Sequence, residues 1–255
     1  MQRFVAEAPR ARPRLKVSLA RSLDDVRAVQ RLRWEVFALE QGAKLISALP
    51  GHDVDRFDDY CEHLMVHDAV TGRVVGTYRL LTADGARRAG GYYAESEFDC
   101  RSLVRCDAPP LEIGRSCVHR DYRNGATIAL LWSGIADVLS ASEHPAIIGC
   151  ASISLSRNRN AGVRLAHHLA SVHRAPVQHS VRPKRPLQAA VDCAGDDASV
   201  PPLIKAYLRC GAVVCGAPAY DPDFDCADLL VRLEMRALAG RYARHFLGTS
   251  PDAHA

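Results

Sequence analysis

The stretch from Leu111 to Ile153 limits the possible folds more than any other part of the chain. Leu111 to Val118 is an apolar run introduced by Pro109-Pro110, and Arg120 to Ala126 is a basic turn containing Gly125. Thr127 to Ala141 carries Ile128, Leu131, Ile135 and Val138 at helical spacing, and Ile147 to Ile153 is a second apolar run. Strand, turn, helix and strand in that order make a parallel step, because parallel neighbours need a long crossover between them. A strand that enters a helix through such a turn presents unpaired backbone N–H groups, and these bind phosphate. In Arg120-Asp121-Tyr122-Arg123-Asn124-Gly125-Ala126-Thr127, two arginines and a glycine stand where a pyrophosphate or phosphopantetheine phosphate would lie.

Around this step the pattern is antiparallel. Ser22 to about Gly42 reads as a helix: Ser22 caps it, Asp24 and Asp25 suit its positive end, and Val26, Val29, Leu32, Val36 and Leu39 recur at helical spacing. An irregular acidic stretch, Pro50 to Asp59, follows. His63 to His67 and Arg73 to Leu81 then read as a hairpin across Asp68-Ala69-Val70-Thr71-Gly72-Arg73. Pro201 to Arg209 is a short helix stopped at Gly211, and Ala212 to Cys215 and Asp228 to Leu233 are two last strands. The expected class is α/β of the α+β kind, a mixed and mostly antiparallel sheet flanked by helices. One domain is expected over 15–249, with a basic insertion at about 156–200, a disordered basic tail at 1–14 and a short tail at 250–255.

Nine cysteines contain no C-x-x-C pair and are odd in number, and several lie in apolar segments, a pattern that fits a reducing cytoplasm rather than a disulfide framework. No apolar window approaches the length of a membrane span, and the N-terminus lacks the core of a secretory signal. His63 and His67 stand four apart, but on a strand and without the following Glu of H-E-x-x-H, so no metal site is expected. From His144 to Val191 there is no Asp or Glu, while Arg157, Arg159, Arg164, Arg174, Arg182, Lys184 and Arg185 bring seven positive charges to a chain of formal net charge +4. Such a run is either a solvated face or the footprint of an anionic partner: an acidic carrier protein, a membrane rich in anionic lipid, or nucleic acid. No aromatic residue lies between Arg157 and Arg185, so platforms for stacking single strands are missing and nucleic acid is not expected.

Arg120-x-x-Arg123-x-Gly125-Ala126 resembles the acyl-donor loop of the GNAT acyltransferases, with Arg123 in place of a glycine. Arg33-x-x-x-Phe37, Asp55-x-x-Asp58, Arg79 and Glu112-x-x-Arg115 recur in this order in the GNAT-like autoinducer synthases, although the tryptophan that follows the first element there is replaced near Ala43. Phe57-Asp-Asp-Tyr-Cys-Glu-His-Leu, Val75-Gly-Thr-Tyr-Arg-Leu-Leu, Leu111-Glu-Ile-Gly-Arg-Ser-Cys-Val, Gly149-Cys-Ala-Ser and Leu203-Ile-Lys-Ala-Tyr-Leu-Arg-Cys-Gly-Ala are similar to blocks of the bacterial ornithine N-alpha-acyltransferases and their hemolysin-like relatives. The resemblance implies a GNAT fold. It implies transfer of a (3-hydroxy)fatty acyl group from acyl carrier protein to the α-amino group of an amino acid, ornithine above others, as in lipid synthesis. The donor is then a phosphopantetheine thioester on acyl carrier protein, with coenzyme A as the other carrier, and no resident cofactor is implied. The protein would be cytoplasmic, with peripheral contact to the inner membrane. An acetyl-CoA-dependent acetyltransferase acting on a small amine or a protein is the alternative.

By the same resemblance Cys117, Val118, Arg120, Arg123, Gly125 and Ala126 meet the donor, and Tyr207 protonates the leaving thiolate. Amine attack on a thioester also needs a proton acceptor and donors for the developing oxyanion. Glu112, between Leu111 and Ile113, is the candidate base, and spacing equally allows it to be a carboxylate held by Arg115 as a structural ion pair. Asp55 and Asp58 offer negative charge for a cationic acceptor or simply cap a turn. Arg33 and Arg79 interrupt apolar surroundings and need carboxylate partners if buried, and Phe37 completes the set around the acceptor.

Overall fold

The computed structural model describes residues 13–140, 144–189 and 198–235. The expected tails lie outside them, except for Pro13 and Arg14, and so does Cys193.

The chain opens with β1 (Leu15–Leu19) and α1 (Leu23–Trp34), which runs on as a wider π-helical turn over Glu35–Glu40. Ser22 caps α1 with its hydroxyl on the Asp25 amide, and the Asp25 carboxylate reaches back to the Ser22 amide. This is the reciprocal box that satisfies two otherwise orphaned donors. The π turn shifts the helical register, so Val29, Leu32, Val36 and Phe37 are buried while Leu39, expected inside, is 70% exposed. Next come β2 (Glu62–Asp68) and β3 (Val74–Leu81), the expected hairpin, followed by α2 (Ala83–Ala89), a 3₁₀ turn over Tyr93–Ser96, β4 (Phe98–Asp99) and α3 (Arg101–Val104).

The central step is β5 (Leu111–Val118), a 3₁₀ turn over Arg120–Tyr122, α4 (Gly125–Ser140) and β6 (Ala146–Ser154), as expected. Then follow α5 (Arg159–Val172), β7 (Arg182–Pro183), α6 (Pro202–Arg209), β8 (Val213–Val214), β9 (Ala219–Asp221) and β10 (Cys226–Glu234). The main sheet runs β1-β2-β3-β5-β6-β10-β8, with β9 also on β10, and β4 pairs with β7 in a two-stranded sheet. Among the described strands, β5 and β6 alone run parallel. This is the expected mixed, mostly antiparallel sheet.

One face of the sheet buries Leu64, Val66, Tyr78, Leu80, Leu111 and Ile113 with Leu131 and Ile135 of α4, Ala166 and Leu169 of α5 and Tyr207 of α6. The opposite face is covered near β2, β3 and β5 by α1 and near β6 by Phe98, Leu103 and Tyr92. The acid-free segment thus starts inside the core, with α5 against β6 and β10.

Candidate active site

Two local irregularities in β5 create the site. The ladder to β6 holds at Leu111–Ile147 and Glu112–Ile148, and beyond these pairs the two strands part. Gly149 marks the fork, because a Cβ there would collide with the Ile113 carbonyl. On the other side, the pairing with β3 steps from Gly114–Arg79 to Cys117–Thr77, so Tyr78 faces both Arg115 and Ser116. This is a β-bulge, which re-aims side chains. Arg115 sits in it at φ 48°, a left-handed conformation that disfavours any residue with a Cβ. A cavity of about 500 Å³ opens at the fork and is lined from both faces of the sheet, by Phe37, Arg79, Tyr93, Glu112, Arg115, Cys150 and Asp228 and by Tyr78, Ile204 and Tyr207.

Glu112 borders this cavity and is 4% exposed. Its oxygens accept the backbone N–H groups of Tyr93 and Ala94, each at 2.7 Å, at the start of the Tyr93–Ser96 turn. Burial pushes the carboxyl up to about 7, against the pull of those two amides and of Arg79. A carboxylate that ionises near neutrality suits a general base. The expected Glu112–Arg115 ion pair is not formed. Arg115 leaves the bulge towards Asp53 and Asp55, at 3.1 Å from each, and its guanidinium lies over the rings of Tyr93 and Phe224.

The arginines and aspartates around the acceptor expectation form a closed circuit. Arg33 binds Asp53 at 2.8 Å and Asp58 at 2.9 Å, Arg79 binds Asp58 at 2.9 Å and Asp55 at 2.6 Å, and Arg115 closes the circuit between Asp55 and Asp53. Three cations alternate with three anions, and Arg33 is fully buried. Burial raises the Asp58 carboxyl, but Arg33 and Arg79 overcome this and hold it well below the usual carboxylate range. Asp55 is lowered in the same way by Arg79 and Arg115. The surplus negative charge expected of Asp55 and Asp58 is thus absent, since each is neutralised by two arginines. Phe37 lines the cavity and packs edge-to-face on Phe224, with ring centroids 5.6 Å apart.

From the opposite face Tyr207 donates to or accepts from the Tyr78 hydroxyl at 2.9 Å and packs edge-on against Trp132. Burial holds the Tyr207 hydroxyl well above its ordinary value, so it keeps its proton. The donor-loop residues lie outside the cavity lining. Cys117 is buried, whereas Arg120, Arg123, Gly125 and Ala126 are exposed. Arg120 and Arg123 both bind Glu40 of the π turn, at 3.2 and 2.6 Å, and Arg123 also donates to the Val118 carbonyl. The Asn124 side chain accepts the Ala126 and Thr127 amides, so two of the N–H groups expected to be unpaired already have a partner.

Sequence reasoning missed Asp53, Glu40, Tyr78, Tyr93 and Glu97 as site residues. Asp228 carried a signal, an acid inside the apolar strand Cys226 to Leu233, whereas Glu97 and Tyr93 sit in a turn without periodicity. Two groups of potential metal-binding side chains occur among the described residues, Glu97–Cys150–Asp228 and Asp221–Cys226–Asp228, and neither contains His63 or His67.

A family described as an acetyltransferase (GNAT) domain matches residues 32–133. An L-ornithine N(alpha)-acyltransferase of Brucella abortus is 34% identical over 251 residues, covering 91% of this chain and 88% of that protein. One from Rhodobacter capsulatus is 32% identical over 249 residues, covering 91% and 94%. Among solved structures, the acyl-homoserine lactone synthase LasI superposes with a TM-score of 0.55 at 11% identity, over 95% of this chain and 100% of that one. The CoA-dependent acyl-homoserine lactone synthase BjaI, with SAM and isopentyl-CoA, gives 0.54 at 17% identity, over 90% and 85%. At such identities the structural likeness concerns the fold alone.

Proposed function

The chain belongs to the L-ornithine N(alpha)-acyltransferase family, and from that premise we propose that it moves a (3-hydroxy)fatty acyl group from acyl carrier protein to the α-amino group of L-ornithine, giving a lyso-ornithine lipid. The observation that carries the reading is the fork between β5 and β6, with buried Glu112 on one side of its cavity and the Tyr207 hydroxyl on the other. The neutral α-amine attacks the thioester carbon, a C–N bond forms and the C–S bond breaks. Glu112 takes the proton lost by nitrogen, directly or through one water, and Tyr207 gives its proton to the departing sulfur. The products are an amide and a thiol, and proton return from Glu112 to Tyr207 through solvent restores both groups. A carboxyl near 7 is ionised often enough to act and basic enough to accept. The reaction draws on the chain's own groups and the donor's pantetheine.

In this reading Cys117, Val118, Arg120, Arg123, Gly125 and Ala126 hold the donor's phosphate end, which competes with Glu40 for the two arginines. Arg33, Phe37, Asp55, Asp58, Arg79 and Arg115 are positioning residues, since their circuit fixes the bulge and the wall beside Glu112. The acid-free segment supplies the charge for docking an acidic carrier protein or resting against an anionic membrane. No helix among the described residues is long and apolar enough to cross a membrane.

Donor competition tests the reading. With ornithine fixed, 3-hydroxyacyl carrier protein should release thiol far faster than acetyl-CoA. Faster turnover of acetyl-CoA would make the chain an acetyltransferase instead.

A further inference from the structure

The cavity that holds Glu112 continues to a second acidic end, lined by Cys150, Ser152, Asp221, Cys226 and Asp228. Along β6, Ile148, Cys150 and Ser152 point to one side, Ile148 is paired with Glu112, and Asp228 on β10 is paired with Ser152. Oxygens of Glu97 and Asp228 lie within 4.8 Å of each other and of the Cys150 sulfur, and Asp221 and Cys226 approach Asp228 within the same limit.

The cluster is unusual in having no cation. Asp53 and Asp58 are answered by arginines, Asp68 by backbone amides and the Tyr122 hydroxyl, and Glu112 by two amides. Among the described residues no Lys, Arg or His forms an ion pair with Glu97, Asp221 or Asp228. Both Glu97 oxygens are buried, and the side chains that meet them are the Asp228 carboxyl and Tyr93, not a cation. Asp228 is 2% exposed, accepts the Cys226 thiol at 3.3 Å and meets the Glu97 carboxyl. Burial, then the neighbouring Asp228 charge, pushes the Glu97 carboxyl up to about 10, and burial and Asp228 raise Asp221 as well. Buried acids left in this state cost folding free energy, and a cation seated among them would recover it.

We infer that Glu97, Asp221 and Asp228 seat the distal ammonium group of a cationic amino-acid acceptor whose α-amino group faces Glu112. The inference rests on the proposed ornithine acyltransferase reading and adds where the acceptor's second charge goes. Cys150 lies between the two ends: burial raises its thiol well above the ordinary value, and Glu97, Asp228 and Glu112 all push it further the same way. An ammonium group presents three N–H donors, which matches three carboxylate acceptors. Zinc in the same place would draw on thiolates from Cys150 and Cys226, whose protons burial holds tightly. In the empty site Glu97 keeps its proton, and arrival of the ammonium releases it.

The test compares ornithine with norvaline, the same skeleton without the distal amine, using one acyl carrier protein donor. Wild type should prefer ornithine by at least tenfold in kcat/KM. In Asp228→Asn and in Glu97→Gln that preference should collapse, mainly through the KM for ornithine. Asp228→Asn should also raise Tm, because it removes a like charge from a buried group. Equal use of norvaline and ornithine by wild type, or an undiminished preference in both folded variants, would overturn the inference while leaving the acyltransferase reading standing. Stoichiometric zinc or manganese binding by wild type that Asp228→Asn abolishes would also overturn it, in favour of a metal. Acylation of neither amino acid would instead count against the reading on which it rests.

Discussion

At Glu112 burial favours the neutral acid, the amides of Ala94 and Tyr93 favour the anion, and burial prevails. The folded chain therefore holds this proton more tightly than the unfolded chain. The resulting stability is fully present below the ordinary value of 4.5 and is lost as pH rises through about 7, a difference of about 3 kcal/mol. Urea unfolding at about pH 5 and about pH 8 should show Glu112→Gln flattening that dependence, and an unaltered slope would mean the carboxyl is not held as described. In turnover the same variant should lose about a hundredfold or more in kcat, together with the limb of the pH profile near neutrality. A rate equal to wild type would remove Glu112 as the base. Asp58 has the opposite sign: its stability is present above the usual carboxylate range and lost as pH falls towards its depressed value. Asp58→Ala leaves Arg33 and Arg79 short of a buried partner, so unfolding should come about 3–5 kcal/mol earlier, and a loss below ~1 kcal/mol would deny the circuit its structural weight. Glu112 was legible because an acid between Leu111 and Ile113 stands out in an apolar strand. Its partners were not, since the amides that hold it come from a 3₁₀ turn distant in sequence and the bulge sends Arg115 to Asp53 and Asp55.

Among the elements, β5 positions everything: a fork on its β6 side, a bulge on its β3 side and a turn into α4 at its end. Gly149 lets the strands meet just before they part, and Gly149→Ala would press a methyl group onto the Ile113 backbone. The variant should lose about 1–3 kcal/mol of stability and turn over long acyl donors less efficiently. Wild-type stability and donor kinetics together would show that the fork does not depend on this contact. The hairpin β2–β3, strand β5, helix α4 and strand β6 could be read from periodicity because each is long enough to repeat its pattern. The short strands β4 and β7 have two residues each and carry no period at all, whereas the equally short β8 falls inside the strand read at Ala212 to Cys215. The π turn after α1 escaped because 3.6-residue spacing predicts Leu39 inside, whereas one wider turn places Phe37 and Glu40 at the cavity instead. β1 pairs with β2 from Leu15 to Leu19, where the sequence reading placed only the start of the domain.

Over the whole molecule, charge is sorted by function. Balanced arginine–aspartate pairs lie beside Glu112; Asp221 and Asp228, with no cationic partner among the described residues, close the far end of the same cavity; and the acid-free segment carries the excess of positive charge. If that segment docks an acidic carrier protein, raising the salt should increase the KM for acyl carrier protein several-fold while scarcely affecting a short pantetheine thioester. Equal salt dependence for the two donors would leave the segment as a solvated face. On the proposed reading, a fatty acyl group is delivered to the α-amine at Glu112 while the distal amine is held at the acidic end. The regiochemistry of the product tests this most directly. Purified protein incubated with 3-hydroxyacyl carrier protein and L-ornithine should yield, by tandem mass spectrometry, a single amide on the α-nitrogen with a free distal amine. Acylation of the distal amine, a mixture of the two amides, or acetyl transfer alone would contradict the account.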